Sequence, residues 1–509
     1  MFDFWQHITH IFTYYENRPI IFTEFSFWVF FSILLFGYSF IYQKHFLRTI
    51  YLLLFSFFFY YKSSGLFFVL LIFATICDYT AGILIASSNK KWARKLFVGI
   101  SVSINLGVLS YFKYAYFFTN SINSIFGTHF EVVNYLSLWT NQLLGSHFDS
   151  STIILPVGIS FYTFQTISYT VDIYRRKLEP LKNILDFAFY VSFFPQLVAG
   201  PIVRAAEFVP QIYRKFALSW AEFSHAYFLI LNGLIKKMLI SDYISINFVD
   251  RVFDNPLSYS GFENLTATYG YALQIYCDFS GYTDIAIGVA LLLGFRLPIN
   301  FNSPYKAVNI TDFWHRWHIS LSSWLRDYLY IPLGGNRKGK IRSYINLMIT
   351  MLLGGLWHGA NIRFVIWGGI HGVSLAIHKV WTSIFPSNKT KKLHSKKFVA
   401  GFITFQIVCL SWIFFRSAEM SKVKDMFGQI YYHFGAESIF SAIFNQPIIY
   451  GLIALGFTTH WLPTSFKESY RGIFIKSSLV FKIVATLIII FVIFQFKASE
   501  IQPFIYFRF

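Results

Sequence analysis

Stretches of about twenty apolar residues, the length of helix that crosses a bilayer, recur along this chain and constrain its fold more than any other feature. They fall at 20–42, 47–61, 65–87, 96–118, 152–174, 224–248, 264–294, 343–358, 362–383, 399–416, 446–464 and 476–496. Inside hydrocarbon, each backbone N–H and C=O must be satisfied within its own segment or barrel, so only helices and closed barrels span. The two-residue alternation of a membrane barrel is absent. Only 13% of the residues are charged, against about a quarter in a soluble protein. The chain reads as one all-α polytopic membrane domain over 1–509, with roughly twelve transmembrane helices. Two further apolar segments, 183–200 and 311–333, are short or broken by Pro and Gly and read as re-entrant.

The net charge is +19. The basic residues sit in short loops between apolar runs, as the excess of Lys and Arg on the cytoplasmic side requires, so nucleic acid is not implied as a partner. Lys44 and Arg48 follow the first run, and Asp3, Glu16 and Glu24 precede it. Residues 119–150 hold no Lys or Arg, whereas 387–397 is strongly basic. This pattern predicts a multi-pass membrane protein with both termini outside, including an extracytoplasmic tail at 497–509. The N-terminus lacks the basic start and cleavage site of a signal peptide. Cys77, Cys277 and Cys409 are far apart in apolar runs and read as small buried hydrophobes.

Against this background the polar stretch 299–367 stands out. It holds Asp312, His315, Arg316 and His318, then a basic turn with Arg337, Lys338, Lys340 and Arg342, then a helix ending at Trp357-His358-Gly359. Polar side chains at membrane depth are costly and mark functional sites. Histidine is the side chain best suited to proton transfer near neutral pH, and His358 sits at a break between two apolar segments, where access is easy. A three-histidine metal site from His315, His318 and either His358 or His371 is an alternative, but no HExxH and no nearby Cys or Glu accompanies it. No GxSxG marks a serine nucleophile. Gly334-Gly335 reads as a turn. Asp278 and Asp284 lie inside the apolar run 264–294, and the stems of Lys236 and Lys237 could snorkel toward the interface.

The segments DFWHRWHISLSSWLRDYLYIPLGGNRKG (312–339) and LGGLWHG (353–359) resemble the membrane-bound O-acyltransferase (MBOAT) family, in its bacterial polysaccharide branch of alginate and peptidoglycan O-acetylation. SFYTFQTISYTVDIYRR (160–176), FFPQLVAGPIVR (193–204) and YCDFSGYTDIAIG (276–288) resemble the same branch, so the likeness covers about 150–385. His315 departs from the family pattern. The resemblance implies helices around a central tunnel, with His358 as the catalytic histidine and His318 as the second. It implies that Asp312, Arg316 and Asp278 line or brace the tunnel. It implies no bound cofactor, with acetyl-CoA as the donor substrate held by Arg337, Lys338, Lys340 and Arg342.

The chain ends IQPFIYFRF (501–509). As an aromatic cluster this could anchor at the membrane interface. The resemblance implies instead that Tyr506 carries the acyl group and passes it to an extracytoplasmic, esterase-like partner transferase and a polysaccharide acceptor. A D-alanyl transferase of teichoic-acid type, an ion-coupled transporter and a scaffold without chemistry are the alternatives. Broken helices with buried Asp and His would also suit a transporter, although no inverted repeat is visible.

Overall fold

The computed structural model describes residue 14 and residues 19–144, 149–198, 200–385, 394–496 and 504–505. Among these residues there is helix and turn but no strand. The first layer comprises α1 (Phe25–Ile41), α2 (His45–Ser64), α3 (Phe68–Ser87), α4 (Lys91–Leu109) and α5 (Ala115–Phe126). A π-helical turn, Ser110–Tyr114, joins α4 to α5 and carries Lys113. Helix α6 (Ile159–Tyr174) packs behind them and is buried along most of its length. Buried Asp78 ties these helices together. Ser101 Oγ and Asn105 Nδ2 donate to its carboxylate at 2.6 and 2.8 Å, and Thr166 Oγ1 donates to Asn105 Oδ1 at 3.0 Å. Each polar group there is satisfied by a neighbour, which burial demands.

The axis of the molecule is α9 (Gly261–Leu292), 32 residues long and started by a capping box between Ser260 and Glu263. Alongside it runs α8 (Trp220–Leu234). The two approach through glycine: a Cβ on Gly233 would lie 2.5 Å from Gly281 O, and one on Gly281 would lie 2.8 Å from Gly233 O. Between apolar helices, such small residues allow the close backbone contact that packing needs.

By length and composition, five stretches can cross a membrane: His45–Ser87, Lys91–Phe126, Gly261–Leu292, Lys396–Arg416 and Leu479–Phe496. A sixth is added if Ala436–Asn445 and Pro447–Trp461, bent by 95°, form one span. This measure does not reach the roughly twelve spans expected from the apolar runs. Run 152–174 gives only 16 helical residues, α6. Run 183–200, expected to be re-entrant, gives α7 (Ile184–Ser192) and the single turn Phe194–Leu197. Run 224–248 gives α8, which continues unbroken through the π-helical turns Ile235–Asp242 and Ser245–Val249. Apolar sequence reports burial, and here much of that burial is against protein.

The stretch 311–333 breaks as expected of irregular backbone shielded by protein. It forms α10 (Ile310–Arg316), α11 (Ile319–Leu325) and a π-helical turn, Arg326–Tyr330. His318 occupies the break in the left-handed region, with φ +42°. Two long helices follow, α12 (Lys340–His358) and α13 (Ile362–Ile384), then α14 (His394–Arg416). Helices α12 and α13 touch backbone to backbone: a Cβ on Gly355 would lie 2.1 Å from Phe364 O, and one on Gly368 would lie 2.2 Å from Met351 O.

That contact is testable. Gly368→Ala is expected to force the helices apart, cost at least about 1–3 kcal/mol and lower the thermal unfolding midpoint. Gly369→Ala places its Cβ 3.6 Å from Leu352 Cδ2, an ordinary contact, and is expected to leave the midpoint unchanged or raised.

Candidate active site

The α12–α13 contact places His358, the last residue of α12, against the side of α13. Its ring lies 5.0 Å from that of Trp367 and 5.3 Å from that of Phe415 on α14, both edge-on. Its own neighbour Trp357 lies 4.9 Å away. His318 approaches the same tryptophan from the other side, with ring centroids 6.3 Å apart. Both histidines are buried. Two residues forty positions apart in sequence thus flank one indole.

Asn300 sets the protonation pattern of His318. Its Oδ1 accepts from Ser320 N at 3.1 Å and Ser320 Oγ at 2.9 Å, which fixes which end of the amide is oxygen. His318 Nδ1 lies 3.2 Å from that oxygen and so must donate to it. The proton therefore sits on Nδ1 and the lone pair on Nε2. A third buried histidine, His371, completes the aromatic box. Its Nε2 lies 3.0 Å from Ser411 Oγ, which donates to Val408 O, so His371 donates to Ser411. Among the described residues no three His, Cys, Asp or Glu side chains converge as a metal set. His315 is exposed on the other side of α10–α11 from buried His318.

Two cavities open on either side of this box. The larger, about 540 Å³, is lined by Trp314, His315, Arg326, Thr350, Met351, His378 and Lys379 among others. Lys379 Nζ donates to Asn336 Oδ1 at 2.6 Å and Ser343 Oγ at 2.5 Å at its rim. The smaller, about 90 Å³, is lined by Lys113, Gly158, Phe161, Val198 and Trp357. Met351 in one and Trp357 in the other are six residues apart on α12, about 9 Å of helix rise. His358 is the residue after Trp357, and neither His318 nor His358 is among the residues lining either cavity.

Lys113 holds the end of α12. Its Nζ donates to Trp357 O at 2.7 Å and His358 O at 3.1 Å, and Tyr114 OH donates to Leu356 O at 2.9 Å. A helix leaves its last four carbonyls unsatisfied, and a cation there also favours the helix dipole. Three of those carbonyls are met by this one π-helical turn.

The structure groups the other expected residues differently. Asp312 and Arg316 pair with each other at 2.8 Å, and Arg316 Nη1 also reaches Asn302 O at 3.3 Å. They brace α10 and line neither cavity. Arg337, Lys338, Lys340 and Arg342 are exposed and line neither cavity. The cations that do line the larger one, Arg326 and Lys379, were not singled out in sequence. Asp278 is buried and ion-paired to Lys237, which does not snorkel: its side chain is 3% exposed. Tyr506 lies outside the described residues. Of the tail, Phe504 and Ile505 are described, and both are buried in the core, so an interface anchor does not describe them. Lys113 was missed although it carried a signal, as a single lysine in an apolar run.

The sequence pattern of the membrane-bound O-acyltransferase family matches residues 175–418. The chain is 37% identical over 390 residues to a peptidoglycan O-acetyltransferase of Helicobacter pylori, covering 71% of this chain and 69% of that one. It is 39% identical over 389 residues to a probable alginate O-acetylase of Pseudomonas syringae, covering 75% and 70%. A teichoic acid D-alanyltransferase of Bacillus subtilis is more distant, 30% identical over 291 residues, covering 53% and 70%.

Lys113→Met is expected to strip two α12 carbonyls of their donor at a cost of about 1.5–3 kcal/mol. Hydrogen exchange should rise in the peptide spanning 353–360 and stay unchanged in α9. Lys113→Arg should restore most of the protection.

Proposed function

The chain belongs to the membrane-bound O-acyltransferase family, and from that premise we propose that it moves an acetyl group from cytoplasmic acetyl-CoA across the membrane for O-acetylation of an exported or cell-wall polysaccharide. As a family member it is a multi-pass membrane O-acyltransferase. Acetyl is favoured over D-alanyl because the relatives near 40% identity are named for acetyl transfer and the D-alanyl relative is more distant.

The observation that carries the reading is the buried histidine pair flanking Trp357, on a helix whose residues reach both cavities. The larger cavity has Arg326 and Lys379 at its lining and belongs to the basic, cytoplasmic side by the positive-inside bias. CoA is polyanionic and does not cross hydrocarbon, but its thin pantetheine arm can follow a channel toward α12. These two cations replace the 337–342 turn as the groups for its phosphates. The smaller cavity adjoins Gly158 and the start of α6, next to 119–150, the segment without Lys or Arg.

Transfer then needs a base and a group that orients the acceptor. His358 takes the proton from an acceptor hydroxyl, whose oxygen attacks the thioester carbonyl. The new C–O bond forms as the C–S bond breaks, and the proton passes from His358 to the departing CoA thiolate. His318 orients the acceptor: its Nε2 lone pair accepts the hydroxyl's hydrogen bond before His358 takes that proton. With Tyr506 as acceptor, a phenol with pKa near 10 gives an ester still activated for a second transfer. A separate extracytoplasmic transferase passes the group from that ester to a sugar hydroxyl.

Incubation of the purified protein with labelled acetyl-CoA should give a +acetyl C-terminal peptide in wild type and none in His358→Ala. An unlabelled tail with label still reaching added partner and glycan would remove Tyr506 from the route. No thioester turnover with all components present would contradict the reading. Lys379→Glu should raise the KM for acetyl-CoA about tenfold, the factor of one lost phosphate contact worth ~1.4 kcal/mol. Lys338→Glu should change it little.

A further inference from the structure

Asp278 sits midway along α9 with its side chain 2% exposed. Its Oδ1 is ion-paired to Lys237 Nζ, and Lys237 also binds Asp242 Oδ1 at 2.7 Å. Apolar side chains of similar volume would serve the stability of such a site as well, so a buried ion pair calls for a further reason. The second oxygen supplies one. Asp278 Oδ2 accepts the backbone N–H of Ile505 at 2.9 Å, a contact 227 positions away in sequence. The preceding residue, Phe504, lies against Phe279 at 5.3 Å and Tyr282 at 4.8 Å, both on the same turn of α9. Phe279 in turn meets the ring of His318 edge-on at 4.7 Å.

We infer that the Lys237–Asp278 pair is a docking site for the chain's own C-terminal segment, holding Phe504 and Ile505 one aromatic ring from His318. Lys237 fixes the carboxylate through Oδ1 and aims Oδ2 at the tail. A bond to a backbone N–H sets where the chain runs, and the Phe279–Tyr282 pocket sets which side chain precedes it. Lys237 and Asp278 are positioning residues in this arrangement. The inference rests on the acyl-transfer reading only for what docking achieves, since Tyr506 is the next residue, about 3.8 Å farther along the chain.

The test is hydrogen exchange of the full chain, read on the peptide spanning 501–509 without any acyl donor. The double variant Lys237→Met, Asp278→Leu replaces the pair with apolar groups of similar size and removes the acceptor. Ile505→Pro removes the donor and leaves the pair intact. Both should raise exchange of the tail at least about tenfold, the factor a hydrogen bond to a charged group is worth, while α12 and α13 exchange as in wild type. Wild-type exchange of the tail in both variants would overturn the docking site. Acetyl labelling of Tyr506 is measured separately, so a free tail with failed docking and a docked tail without acyl transfer are distinguishable results.

Discussion

The centre of this molecule depends on how closely α12 and α13 approach. At Gly355 and Gly368 there is no room for a single methyl group before the facing carbonyl is reached. Between helices in lipid the hydrophobic effect gives no preference for association, so such backbone contact is what holds them together. The contact does more than join two helices. It lays Trp367 beside His358, turns Trp357 toward the smaller cavity and leaves Met351 on the larger one. Widening the crossing by a methyl group would shift the histidine away from Trp367 on the facing helix.

A second constraint follows from depth. Histidines, lysines and carboxylates in this core each have a specific partner, and those partners set chemistry as well as stability. Asn300 places the proton of His318 on Nδ1. Ser411 holds His371 in the aromatic wall, and Lys113 caps the carbonyls at the end of α12. Lys237 orients Asp278 toward the tail. The polar network therefore fixes each of these groups through a named neighbour rather than through solvent.

How much of this the sequence conveyed depended on the distance over which each contact acts. The helical class follows from run length, and His318 and His358 from polar residues at breaks in apolar runs; the structure does bring them to one indole. Contacts between distant segments were hidden. Lys113 bonds a carbonyl 244 positions away, and Asp278 an amide 227 positions away, and no local pattern names such partners. The basic turn at 337–342 lines neither of the two cavities. Charge density in sequence marks the cytoplasmic side, but the larger cavity is lined by Lys379, a lysine within α13, and Arg326, at the start of a π-helical turn. The count of roughly twelve spans came from apolar runs alone, whereas five or six stretches are long and apolar enough to cross, and helices such as α6 bury their apolar residues against protein.

The central claim is that the histidine pair connects two faces of the membrane. The most direct measurement uses sealed proteoliposomes of one orientation, with acetyl-CoA labelled in the acetyl group supplied only to the face bearing Lys379. Released CoA is then assayed on both sides, and the label on a tail or acceptor accessible from the opposite side. CoA on the supplied side with label on the opposite side is the expected result, abolished by His358→Ala. CoA and label both confined to the supplied side would contradict a route through the protein.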